Sequence, residues 1–98
     1  MNELVIDLRG RVFATARDFW AALAGPAGLP DWAGRNLDAW QDTVESGGIS
    51  EVVDGHDRVV VHVDRAGWFA DERNAGPFAR DFGGERSRLT VHSIEDDR

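Results

Sequence analysis

Two aspartates four residues apart, Asp38 and Asp42, form the clearest chemical pattern in the chain. If their segment is helical, this spacing places both carboxylates on one face of the helix. Like charges placed in this way weaken an isolated helix by about 0.2–0.5 kcal/mol. Three interpretations fit the pair: a solvated helix face, which the spacing alone favours, a general acid–base pair, or an acidic surface that fills a cationic pocket of a partner.

Three histidines, His56, His62 and His92, are the other candidates for chemistry. They lack the close helical or turn spacing of metal ligands, so we expect no metal site and no cofactor. His62 and His92 fall in predicted strands, where a hydrogen-bonded structural role is favoured over catalysis. The chain also lacks a glycine-rich phosphate loop and a nucleophile elbow, and we therefore expect that it is not an enzyme.

The composition predicts one small globular domain over residues 1–98. Eleven basic and eighteen acidic residues give a net charge of −7, which argues against nucleic acid or an anionic membrane as partner and towards a cationic protein. A charge of about this size also serves solubility alone.

The absence of cysteine excludes disulfides and thiolate catalysis. No signal peptide or long apolar run is present, so we expect a cytoplasmic protein.

Hydrophobic periodicity predicts the order strand, helix, helix, strand, helix, strand. The predicted ranges are 3–8, 15–24, 36–46, 57–64, 71–82 and 88–94. Thr15 and Asn36 are good caps for the first two helices. The connections are long enough for right-handed crossovers, which indicates an α/β fold with a small, mostly parallel sheet covered by helices. The uninterrupted valine run of the second strand predicts burial on both sides.

The four tryptophans divide between core and surface. Trp20 and Trp40 lie on apolar helix stripes, where a core position is favoured. Trp32 precedes the acidic helix, and its ring either anchors a partner or packs locally. Trp68 follows the second strand, where it either closes the end of the sheet or binds a partner.

Residues 29–42, LPDWAGRNLDAWQD, resemble the signature of the barstar family, the intracellular inhibitors of microbial secreted ribonucleases. The resemblance rests on Leu-Pro, an acid, an aromatic residue and Gly, followed by Asn-Leu-Asp-Ala and a second Asp. Outside residues 29–46 it rests on the order of the elements. It implies a three-stranded parallel sheet packed with helices, an inhibitor without cofactor or metal, and a one-to-one complex with a basic ribonuclease, barnase-like or related guanyl-specific.

The resemblance also implies a set of partner-binding residues. Asp42 matches the dominant carboxylate of the family, which meets the catalytic Arg and His residues of the enzyme, and Asp38 matches its neighbour on the same face. Trp32 stands where the family has a tyrosine that packs on the catalytic histidine, and Gly34 where the chain passes close to the enzyme. Asp81 aligns with a further carboxylate on a later helix.

Several positions depart from the family pattern. Ala33 replaces a tyrosine, Arg35 replaces an acid, and Gln41 replaces an aromatic residue directly before Asp42. A cation at the rim of an acidic surface weakens the negative field there. These departures keep an alternative open: a barstar-like immunity or scaffold module that binds another basic protein without inhibiting a ribonuclease.

Overall fold

The structure, a computed structural model, describes residues 2–30, 34 and 36–93. One sheet contains three strands in the order β1-β2-β3, and both neighbouring pairs are parallel. The strands are β1 (Glu3–Asp7), β2 (Arg58–Asp64) and β3 (Ser87–His92). The described helices are α1 (Ala16–Ala24), α2 (Leu37–Glu45), α3 (Glu51–Asp54) and α4 (Glu72–Phe82), with a 3₁₀ turn at Gly67–Ala70. The predicted three-stranded parallel α/β fold is confirmed.

Local capping chemistry sets the starts of the first two helices. The Thr15 side chain accepts a hydrogen bond from the Asp18 N–H at 3.3 Å, and Asn36 Oδ1 accepts one from the Ala39 N–H at 2.8 Å. Each bond satisfies a helix N–H that has no partner within the helix. Both predicted caps are confirmed. Residues 52–53 lie in the short helix α3, which falls between the predicted ranges 36–46 and 57–64.

The helices cover one face of the sheet. Alternate residues of β2 are buried against them, namely Val59, Val61 and Val63. Val60 between them is only half-buried, and Val5 beside it in β1 is 54% exposed. The prediction that the second strand is buried on both sides is therefore wrong. No described helix packs on the second face, which we call the open face of the sheet.

An aromatic cluster fills the space between the sheet and the helices. Trp40 of α2 stacks on Phe82 of α4, with ring centroids 4.8 Å apart and planes 20° apart. Trp20 of α1 packs 6.2 Å from Trp40. Trp20 and Trp40 are 4% and 1% exposed, which confirms their predicted core positions. Trp68 is half-buried and packs edge-on against Phe78 at 5.2 Å.

None of the helices in the described ranges is long and apolar enough to cross a membrane.

Candidate partner-binding site

Helix α2 separates an apolar face from an acidic face. Trp40 and Val44 are buried on the apolar face, with Leu37 half-buried beside them. Asp38 and Asp42 are exposed, one turn apart. Because the buried side chains fix the rotation of the helix about its axis, the two carboxylates are directed to solvent. The predicted division of this helix into a core face and an acidic face is confirmed.

Neither carboxylate of this pair is neutralised by an arginine of the described residues. The ion pairs found there join Asp7, Glu3, Glu72, Asp71 and Asp81 to arginines, and none includes Asp38 or Asp42. Unpaired like charges on one helix face repel each other. The acidic pair can therefore gain from a cationic partner more than a carboxylate already paired within its own chain.

Gln41 connects this helix to the end of α4. Its Nε2 donates a hydrogen bond to the carbonyl oxygen of Asp81 at 2.8 Å. The bond places the backbone of Asp81 beside the residue that precedes Asp42. The Asp81 side chain is 58% exposed and lies 3.6 Å from Arg80 Nε. Three of the predicted site residues, Asp38, Asp42 and Asp81, thus belong to adjoining parts of the surface.

Gly34 is exposed in the loop that leads into α2. A Cβ atom at this position would lie 3.0 Å from the Ala39 Cβ and 3.5 Å from Asn36 Nδ2. A glycine therefore lets the loop pass close to the first turn of the helix. Trp32 and Arg35 lie outside the described residues, so the role of Trp32 stays a prediction.

Sequence reasoning missed Arg86, which secures the C-terminal end of α2. Its guanidinium donates to the carbonyl oxygens of Val44 and His56, both at 2.8 Å. The last turn of α2 contains no basic residue of its own, and a cation at this end satisfies free carbonyls and complements the helix dipole. The sequence contained only a weak signal for this contact. It consists of a helix whose last turn has no basic residue and an arginine that is distant in the sequence.

The structure brings two of the three histidines together. His62 Nδ1 lies 2.8 Å from His92 Nε2, because β2 and β3 are adjacent parallel strands that pair His62 with Thr90 and Asp64 with His92. The expected hydrogen-bonded role is confirmed. The spacing of the histidines along the sequence did not predict this contact. Within the described residues, no group of three or more acidic or imidazole side chains could hold a metal ion.

A comparison with protein-family models matches residues 3–79 to the family described as Barstar (barnase inhibitor). The matched segment contains β1, all of α2 and most of α4. Asp81 lies two residues beyond its end, so the match leaves the alignment of Asp81 as a prediction. A comparison with curated proteins finds no match.

Proposed function

The chain belongs to the Barstar family, a family of barnase inhibitors, and from this membership we propose that it inhibits a basic, secreted microbial ribonuclease. In this proposal α2 and the preceding loop cover the active site of the enzyme, so that substrate RNA cannot enter. The protein acts by occlusion in a one-to-one complex and requires no cofactor. The same proposal places the protein in the bacterial cytoplasm, where it protects the cell from a ribonuclease made for export.

The observation that carries the proposal is the exposed acidic pair on a helix fixed by its buried face. Asp38 and Asp42 are exposed, and no arginine of the described residues lies within 4.0 Å of either. A ribonuclease active site binds the phosphates of RNA with cationic side chains. Two carboxylates held one helical turn apart offer such side chains the same negative oxygens, in charge-assisted hydrogen bonds. The repulsion within the pair then decreases when guanidinium groups bind it.

The rest of the proposed surface surrounds this pair. Gly34 lets the loop approach the enzyme closely. Trp32 packs on the catalytic histidine of the enzyme. Asp81 adds a third carboxylate, next to α2 because Gln41 binds its carbonyl oxygen. The amide of Gln41 points to α4, so this residue positions α4 where other family members have an aromatic residue.

A direct test is a titration of the purified protein against a panel of secreted microbial ribonucleases. Inhibition that is complete near one equivalent, and that depends on Asp42, supports the proposal. Activity that persists across the panel at excess protein contradicts ribonuclease inhibition for those enzymes. Capture from the secreted fraction of the source organism, eluted by salt, then identifies the partner.

The departures at Ala33, Arg35 and Gln41 favour one alternative, an immunity or scaffold module for another basic protein. This alternative uses the same acidic face but a partner that is not a ribonuclease. The two functions are separated by the captured protein: a basic protein that binds through Asp42 and has no ribonuclease activity supports the alternative.

A further inference from the structure

The hydrogen-bonded histidines lie on the open face of the sheet, away from the proposed inhibitor surface. Along β2 the buried residues Val61 and Val63 face the helices, and His62 between them points to the opposite side. His92 reaches His62 from β3 at 2.8 Å. Both rings are half-buried, with centroids 5.0 Å apart and planes tilted by 36°. Two imidazole nitrogens thus converge at a place that solvent can reach.

We propose that His62 and His92 form a binding site for a divalent transition metal of tetragonal geometry, with Cu²⁺ bound most tightly. Two nitrogens that bind one metal at about 2.0 Å and at a right angle lie about 2.8 Å apart, whereas a tetrahedral angle separates them by about 3.3 Å. The observed separation of 2.8 Å is that of a hydrogen bond, and it equals the right-angle value, so a metal of this geometry can bind without the two nitrogens moving apart. Imidazole also suits Cu²⁺, which stands highest in the affinity order of the first-row divalent metals.

Metal binding requires both rings to turn, because their nitrogens now point at each other along a hydrogen bond, with ring centroids 5.0 Å apart. In the neutral pair one proton lies between His62 Nδ1 and His92 Nε2. The metal replaces this bridging hydrogen bond when the proton moves to the outer nitrogen of the same ring, so each imidazole remains neutral and no proton is released. Within the described residues neither ring has another hydrogen-bond partner, so both can turn to direct their lone pairs at one point.

The surrounding charges favour a cation. Asp7 is paired with His62 in the strand register, and Asp64 with His92. Arg9 balances Asp7 through an ion pair of 2.8 Å, whereas Asp64 accepts only the Gly10 N–H at 2.7 Å among the described hydrogen bonds. One negative charge therefore remains uncompensated by these neighbours. Because the two carboxylates have these other partners, the two histidines are the protein ligands and water fills the remaining positions.

The test uses the full chain labelled with ¹⁵N-histidine and titrated with CuCl₂ below one equivalent. We expect paramagnetic broadening to remove the ring signals of His62 and His92 before those of His56. Competition with glycine then measures the Kd for Cu²⁺. We expect His62→Asn and His92→Asn each to raise this Kd at least tenfold. His56→Asn is the matched control and should leave it unchanged, since His56 lies between α3 and β2 with its Nδ1 2.6 Å from the Val52 carbonyl oxygen.

Two results would overturn the site: a His62 or His92 variant that binds Cu²⁺ as tightly as the parent chain, or ring signals of His56 that broaden first. Thermal unfolding without metal checks that the variants fold. Should either variant fail to fold, the order of broadening in the parent chain decides alone. The site does not depend on the proposed inhibition, which is read from a different face of the molecule.

Discussion

Gln41 Nε2 lies 2.8 Å from the carbonyl oxygen of Asp81, in a hydrogen bond that joins the middle of α2 to the end of α4. Phe82, the next residue, stacks on Trp40, which neighbours Gln41 in α2. One polar and one aromatic contact thus fix the same two helices. The contact determines where Asp81 lies relative to the acidic pair, so the shape of the proposed surface depends on it.

Replacing Gln41 by Ala should therefore affect both stability and binding. The loss of one hydrogen bond to a carbonyl group is expected to lower the free energy of unfolding by about 1 kcal/mol, as measured by urea denaturation. Binding to the target ribonuclease should also weaken, because Asp81 is no longer fixed. The double variant Gln41→Ala/Asp81→Ala should bind no more weakly than Asp81→Ala alone. Additive losses would show that Gln41 does not act through Asp81.

Asp42 is expected to contribute most to the binding of the partner. Asp42→Asn should weaken binding by about 2 kcal/mol or more, which is typical when a central charged residue of an interface is replaced. The thermal stability of the Asp42→Asn variant should stay the same or rise, because the repulsion between Asp42 and Asp38 is removed. Calorimetric titration and thermal unfolding measure the two effects.

The matched control for Asp42 is Glu3→Gln. Glu3 is an exposed carboxylate of β1 on the open face and lies 4.0 Å from Arg58. Glu3→Gln removes one negative charge, as Asp42→Asn does, but at a position far from α2. Binding should therefore change little. Equal losses for the two variants would mean that net charge alone, and no specific carboxylate, determines binding.

Association with a basic enzyme should be accelerated by the net charge of −7. Opposite charges steer two proteins together, and salt screens this attraction over a Debye length of about 10 Å at 0.1 M. We expect the association rate constant, measured by stopped-flow fluorescence, to fall steeply with NaCl while the dissociation rate constant changes less. A salt-independent association rate would contradict steering.

The residues that sequence reasoning located correctly are those whose role is local. Thr15 and Asn36 cap helices through bonds to residues three positions away, and the buried and exposed faces of α2 follow from helical periodicity. The His62–His92 contact and the exposure of Val60 depend on which strands pair and which face the helices cover. Separations along the sequence contain neither kind of information, so the histidine contact was not predicted and the expected burial of the second strand on both sides was wrong. The roles of Trp32, Gly34, Asp38, Asp42 and Asp81 stay predictions until binding is measured.

Arg86 should be important for stability although it is not one of the predicted site residues. Its guanidinium donates to the carbonyl oxygens of Val44 and His56 at 2.8 Å. Arg86→Met should lower the free energy of unfolding by about 1.5–3 kcal/mol, the range for hydrogen bonds from charged groups. Arg86→Lys should recover only part of this loss, because an ammonium group lacks the planar fork.

Arg88 supplies the control for Arg86. It lies two residues further along the chain, in β3, and is exposed on the open face. Arg88→Met removes the same charge and should change the free energy of unfolding by less than about 0.5 kcal/mol. Similar losses at the two positions would show that charge, and not the contact with the end of α2, stabilises the fold.

Asp7 should make stability depend on pH in the acid range. Side-chain hydrogen bonds from Arg9, together with its backbone N–H and its charge, hold the pKa of Asp7 well below its usual range. A carboxylate with a lowered pKa in the folded state stabilises that state above the unfolded pKa of about 3.9. The contribution decreases as pH falls below this value, since the unfolded chain then takes up a proton before the folded one.

We therefore expect the stability difference between the parent chain and Asp7→Asn to be constant from about pH 5 to pH 7 and to shrink below about pH 4. Urea denaturation at a series of pH values measures this difference. The stability difference should be small at every pH, because Asp7 and Arg9 are both exposed. In an Arg9→Met background the pH dependence of the difference should nearly disappear. A difference in the parent chain that stays constant below pH 4 would show that the Asp7–Arg9 ion pair is not formed in solution.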